Sequence, residues 1–74
     1  YYRAALEGND TAQSQLGYCY LNGEGTEKNE QLAAEWFYEA AIQGNAVAQG
    51  NLARCFEHGI GLQKDEQSAF EWYQ

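Results

Sequence analysis

The sequence has no proline and no methionine, one histidine (His58), and only four basic residues, Arg3, Lys28, Arg54 and Lys64, against 11 acids. A formal net charge of −7 argues against nucleic acid as a partner, which needs a basic patch to displace counterions. It also disfavours an anionic membrane surface. No stretch approaches the roughly 20 apolar residues of a membrane span, and no signal peptide is present. Proline is missing while 45% of the residues are hydrophobic and 15% aromatic, a composition that supports a packed core rather than disorder. Cysteine is almost missing too. Cys19 and Cys55 do not make a disulfide framework; they lie 36 residues apart at equivalent places. Packed helix axes stand about 8–10 Å apart, whereas a disulfide needs Cα atoms within about 7 Å. Both thiols read as buried small hydrophobes.

What is present is a period. Shifting the sequence by 36 residues aligns 1–38 with 37–74 without a gap, and 17 of the 38 pairs are identical. Ordinary amino-acid usage would give roughly two or three. A fixed period of this kind belongs to units that cannot bury their apolar faces alone and must stack. At 74 residues the chain is at most one small domain, marginally able to bury a core. Tyr1 is not an initiator methionine, and Phe70 to Gln74 stop inside a helical pattern, so a fragment of a longer array is expected. Cytoplasmic, periplasmic and secreted settings all remain open for the parent.

Residues 1–8 match the end of a helix that returns before Gly44. Gly8 and Gly44 suit the left-handed conformation that ends helices, and Asn9 and Asn45 suit the cap of the next one. The first helix of the repeat is predicted over about 10–22, with Ala12, Leu16, Cys19 and Tyr20 on one stripe of a 3.6-residue period. Its copy is predicted over about 46–58 with Ala48, Leu52, Cys55 and Phe56. Gly23-Glu24-Gly25 and Gly59-Ile60-Gly61 reverse the chain. Asn29 and Asp65 cap the second helix, predicted over about 30–43 and again from about 66, with acids in the first turn. Small alanines beside Trp36 or Trp72 suggest close helix approach with aromatic wedges between repeats.

The ordered set Ala12-Gln13-x-x-Leu16-Gly17-x-x-Tyr20-x-x-Gly23-x-Gly25, a capping Asn29, then Ala33-x-x-Trp36-x-x-x-Ala40-Ala41 and Gly44, resembles the Sel1-like repeat, a relative of the tetratricopeptide repeat. The resemblance covers the whole chain: 1–8 as the end of a preceding repeat, 9–44 as a complete repeat, 45–74 as most of the next. Two positions depart from the pattern. Thr26 stands where the family usually has valine, and Ala53 replaces the glycine seen at Gly17. Neither threatens the fold, since alanine is the better helix former.

The resemblance implies an all-α solenoid of antiparallel helix pairs in a right-handed superhelix, the first helices lining a concave surface. It also implies a non-catalytic adaptor that holds a partner peptide or helix, with no cofactor. Two alternatives stand beside it: a secreted penicillin-binding or hydrolytic relative, and a purely structural spacer. The penicillin-linked relatives carry paired cysteines in each repeat, and this chain has one, so that carry-over fails.

Positions off the core stripe differ between the copies: Thr11 and Val47, Ser14 and Gly50, Tyr18 and Arg54, Leu21 and Glu57, Asn22 and His58. They are the candidate partner-binding positions, because scaffold positions repeat while these do not. Set against this, any solvent-facing position drifts, and the second helix's outer face differs in places too, as at Leu32 and Ser68. Tyr18 is the sharper clue, one of two aromatics among 11 with no aromatic counterpart. Tyrosine and arginine are enriched at interface hot spots, and equivalence predicts Tyr18 and Arg54 side by side, with His58 completing the patch. The other such aromatic, Phe70, is predicted to be exposed with Trp72 near the chain end, an apolar patch through which the fragment self-associates.

Catalytic motifs are missing: there is no G-x-S-x-G, S-x-x-K, H-E-x-x-H or phosphate-cradling loop. Cys55 and His58, at i and i+3, lack further ligands for a metal set, and a buried thiol is no nucleophile. Glu35, Glu39 and Glu71 read as a solvated outer face, where acids four apart repel by only a few tenths of a kcal/mol.

Overall fold

The computed structural model describes residues 2–73 and, within α1, leaves aside the side chains of Tyr2 and Ala4. Tyr1 and Gln74, which the sequence places in helices, lie outside the described residues. Five helices follow in order, α1 (Tyr2–Leu6), α2 (Asp10–Asn22), α3 (Glu30–Ala41), α4 (Ala46–His58) and α5 (Glu66–Tyr73), and no strand occurs among the described residues. Each helix packs chiefly on the next in the chain. This is the nearest-neighbour stacking of a helical repeat, here about two repeats long.

The helix ends are set by side chains that satisfy the first free N–H groups. Asn9, Asn29 and Asn45 Oδ1 accept from the amides of Ala12 (2.9 Å), Leu32 (3.1 Å) and Ala48 (2.9 Å). Asp65 accepts from the amides of Gln67 and Ser68, both at 3.1 Å. Gly23 and Gly59 close α2 and α4 with φ of 72° and 69°, a conformation open to glycine. The following loops are tied back to the helices they leave: Asn29 N–H donates to the Tyr20 carbonyl (2.9 Å) and Asp65 N–H to that of Phe56 (2.8 Å). The predicted bounds of α2, α4 and α5 agree with the structure. α3 ends at Ala41 rather than 43, because Gln43 and Gly44 turn to three-residue hydrogen bonds with Ala40 and Ala41.

The main core joins α3 to α4. Ala33, Ala34, Phe37, Ala40 and Ala41 meet Ala48, Leu52 and Cys55, with Trp72 packed against them. Phe37 is fully buried, and the alanines around it let the helices approach closely. A smaller cluster of Ala5, Ala12 and Leu16 joins α1 to α2, with Trp36 packed on it. Both thiols are free; Cys55 is buried as expected, whereas Cys19 is half-buried. Cys55 sits in the main core with the alanines of α3, whereas Cys19 belongs to neither core cluster.

The Ala12-Gln13 pair of the repeat has a structural meaning. Gln13, a polar side chain only 4% exposed, donates from Nε2 to the Ala5 carbonyl (3.0 Å) and accepts at Oε1 from Gln43 Nε2 (2.7 Å). Its copy Gln49 donates to the Ala41 carbonyl at 3.2 Å. Each glutamine thus adds a second donor to a carbonyl at the end of the preceding helix, beside the amide of Gly8 or Gly44.

Candidate functional site

The stripe 12, 16, 19 and 20 understates how much of α2 is enclosed. Gln13, Ser14 and Gly17 are buried too, because α2 is packed by α1 and α3 and approached by α4. The exposed arc of α2 is Thr11, Gln15, Tyr18 and Asn22, four positions spaced three or four apart on one helix face. On α4, Val47, Arg54 and His58 are exposed and Asn51 is half-buried at the equivalent places.

Between these arcs lies a recess of about 330 Å³, lined by Ser14, Gln15, Tyr18 and Cys19 from α2, Glu24 from the loop, and Val47 and Asn51 from α4. Tyr18 is 53% and Val47 67% exposed. Ser14 lines the recess but is buried, so it forms the wall rather than an outward contact. Gln15 and Asn51 were not among the candidate residues, although they also differ between copies and lie four residues after Thr11 and Val47.

Two expectations are corrected. Leu21 is half-buried against the main core; it belongs to the seam between repeats and not to the open arc. Tyr18 and Arg54 do not share the recess: Tyr18 lines it with Asn51 and Val47, one and two turns before Arg54 on α4. Thr11 and Asn22 are exposed outside the recess.

Arg54, Glu57 and His58 form a second group with Tyr73 of α5. The Tyr73 hydroxyl donates to Glu57 Oε1 at 3.0 Å, and His58 Nε2 lies 3.5 Å from the same oxygen. Partial burial, then the Glu57 acceptor, push the Tyr73 phenol above its ordinary pKa, against the pull of Arg54. Arg3, Lys28 and Lys64 pair with neighbouring glutamates. Arg54 makes no ion pair among the described residues.

Burial is the chief cause raising the Cys55 thiol above its usual range, with Arg54 opposing, so it stays protonated and poorly nucleophilic at neutral pH. Among the described residues no group of three or more His, Cys, Asp or Glu could hold a metal ion. No described helix is long and apolar enough to cross a membrane. Phe70 is 64% exposed as expected, but Trp72 is not exposed with it. Trp72 is half-buried, edge-on to Tyr38 at 6.2 Å between ring centroids and 78° between planes.

The Sel1 repeat family model matches residues 11–45 and 46–74. Among solved structures, a Sel1 repeat protein from Oxalobacter formigenes is similar at 43% identity and a TM-score of 0.93, over 95% of this chain and 20% of that one. The c5321 protein, a protective antigen present in uropathogenic Escherichia coli strains and displaying an SLR fold, is similar at 35% identity and a TM-score of 0.93, over 96% of this chain and 15% of that one. No significant match to a curated protein is found. The chain therefore spans a fifth or less of the length of these two solved relatives. With two consecutive repeats matched and helices superimposable on both structures, the chain belongs to the Sel1 repeat family.

Proposed function

We propose that this chain is a non-catalytic interaction module whose α2–α4 recess, on the concave side of the array, holds an extended peptide or a helix of a partner protein. The family is typically a protein-interaction scaffold, and the observation that carries the finer reading is Tyr18. It is an aromatic with no aromatic counterpart in the other copy, it takes no part in either core cluster, and it lies more than half exposed beside Val47. Such rigid, amphipathic contact area is what interfaces concentrate near their centres. Arg54, an exposed cation with no ion pair among the described residues in a chain of net charge −7, offers a second anchor for an acidic group, with His58 beside it.

A structural spacer would present uniform, bland open arcs, which Tyr18, Arg54, Glu57 and His58 are not. A penicillin-binding or hydrolytic relative would need a nucleophile or metal set. The deciding experiment is a photo-crosslinking residue at position 18 of the full-length parent, with the exposed loop position 27 as control. Crosslinks confined to position 18 and lost in Val47→Ser support the reading; equal crosslinking at both positions overturns it.

A second reading, compatible with the first, is self-association through α5. Phe70 and Tyr73, 64% and 52% exposed, are the counterparts of Ala34 and Phe37, which α4 covers. Concentration-dependent growth in sedimentation, lost in Phe70→Ser, supports it; a monomer at every concentration overturns it.

A further inference from the structure

We propose that the cleft between α1 and α3 is a second docking site, which takes a partner-protein segment bearing a lysine or arginine between apolar side chains. This cleft, about 520 Å³, is lined by Ala5, Leu6, Leu32 and Trp36 with Glu35 and Glu39, and shares no residue with the α2–α4 recess.

Leu6 is 62% exposed, and its counterpart Ile42 is 55% exposed. A position that stays branched-aliphatic in both copies while more than half exposed is not explained by stacking, since neither side chain belongs to a core cluster. Leu32 adds to this wall. It is half-buried on the cleft where the second copy has Ser68, whose hydroxyl instead donates to the capping Asp65 (3.0 Å). Trp36 and Ala5 form the floor, already fixed by the smaller core. The volume falls in the range of built ligand clefts.

Charge selects the occupant. Glu35 and Glu39 are the charged residues lining the cleft, with no cation among the described residues that line it, and the chain carries −7 overall. Residues four apart on a helix have Cβ atoms about 5–6 Å from each other, so both flexible carboxylates can reach one ammonium or guanidinium while flanking apolar side chains rest on Leu6 and Leu32. An acidic or purely polar segment gains nothing here, because it meets like charge on an apolar wall.

The test titrates the isotopically labelled 74-residue chain with acetyl-Leu-Lys-Ala-Leu-Arg-Leu-amide. The readout is the Trp36 indole N–H resonance, identified by the Trp72→Phe variant. The expected result is a saturable shift at Trp36, Leu6 and Leu32 that weakens with added salt. Affinity should fall about three- to tenfold in Glu35→Gln/Glu39→Gln and in Leu32→Ser, surface changes whose retained helicity circular dichroism confirms. Tyr18→Ala should leave this affinity unchanged, which separates the cleft from the α2–α4 recess. Equal binding of the same peptide with glutamate in place of lysine and arginine, no saturable shift, or unchanged affinity in both variants would overturn the proposal.

Discussion

Gly17 lies so close to Phe37 that a Cβ at position 17 would stand 2.9 Å from the Phe37 Cε1 and 3.1 Å from the Ala33 carbonyl. Phe37 is fully buried and cannot withdraw, and the carbonyl is backbone. One repeat later the pair is Ala53 and Tyr73, and Tyr73 is 52% exposed, turned out toward Glu57. The same two positions therefore carry a small-and-buried pairing once and a larger, outward pairing the second time. Gly17→Ala gains about 1 kcal/mol of helix propensity but overpacks by about 1–3 kcal/mol. A net loss of about 1–2 kcal/mol is expected in urea unfolding. Ala53→Gly is also expected to lose about 1 kcal/mol, from propensity alone. Equal or higher stability of Gly17→Ala would show that Phe37 has room to move.

That pair shows where the sequence is readable and where it stops. The 36-residue period, the asparagine caps and the paired glycines are local or periodic signals, and they locate the helices to within a residue or two. Gly17 and Ala53 look interchangeable along one strip of sequence, because propensity is local; the reason they are not lies 20 residues away in Phe37. The open arc was only partly legible for a similar reason. Ser14 and Leu21 sit at the border of the α2 face that α4 approaches, and no periodicity within α2 reports how far a neighbouring helix reaches.

Gly25 and Gly61 share a positive φ, 73° and 72°, but not a neighbourhood. Nothing lies within 4 Å of a Cβ added at Gly25, whereas one at Gly61 would run into the Glu30 carbonyl. Gly25→Ala should lose only the left-handed strain, about 1–2 kcal/mol. Gly61→Ala should lose clearly more, about 3 kcal/mol or above, because the loop must also leave α3. Parallel thermal melts measure the difference. Equal losses would mean that the second loop does not depend on its approach to α3.

Asp65 is the one helix cap of the four described that titrates. The Ser68 backbone amide, then its hydroxyl, hold the carboxyl below its ordinary value of 3.8, with Gln67 adding to this against slight desolvation. A depressed folded pKa means that the ionised cap contributes stability above the unfolded pKa. That contribution is lost as pH falls below about 3.8 through the folded value. Asp65→Asn, matching the other three caps, should remove this part of the acid sensitivity while leaving neutral-pH stability nearly unchanged. Urea titrations at pH 6 and pH 3 check it: an unchanged stability difference between those pH values would count against ionised capping.

Cys19 and Cys55 should be separable by alkylation. Cys19 is half-buried on the α2–α4 recess, while Cys55 is 1% exposed with its thiol pushed up chiefly by burial. Iodoacetamide on the native chain near pH 8 is expected to label Cys19 first, and Cys55 only when urea opens the α3–α4 core. Mass spectrometry of the peptides identifies the order. Simultaneous labelling in native buffer would mean that the core opens as readily as the recess.

Gln13 and Gln49 occupy equivalent positions but carry different shares of the junction. Gln13 is 4% exposed and holds both the Ala5 carbonyl and the Gln43 amide; Gln49 is half-buried and makes a single, longer bond at 3.2 Å. Gln13→Leu keeps nearly the same volume but removes both of these bonds, while the Gly8 amide still reaches the Ala5 carbonyl at 3.1 Å, a loss of about 1–3 kcal/mol for the pair. Gln49→Leu, which removes one bond and leaves the Gly44 amide on the Ala41 carbonyl, should lose less, about 0.5–1.5 kcal/mol. The order of the two losses in urea unfolding is the test, since both substitutions add the same apolar side chain. If Gln49→Leu proved the more harmful, the two-bond bridge at Gln13 would not be what fastens α1, α2 and the end of α3 together.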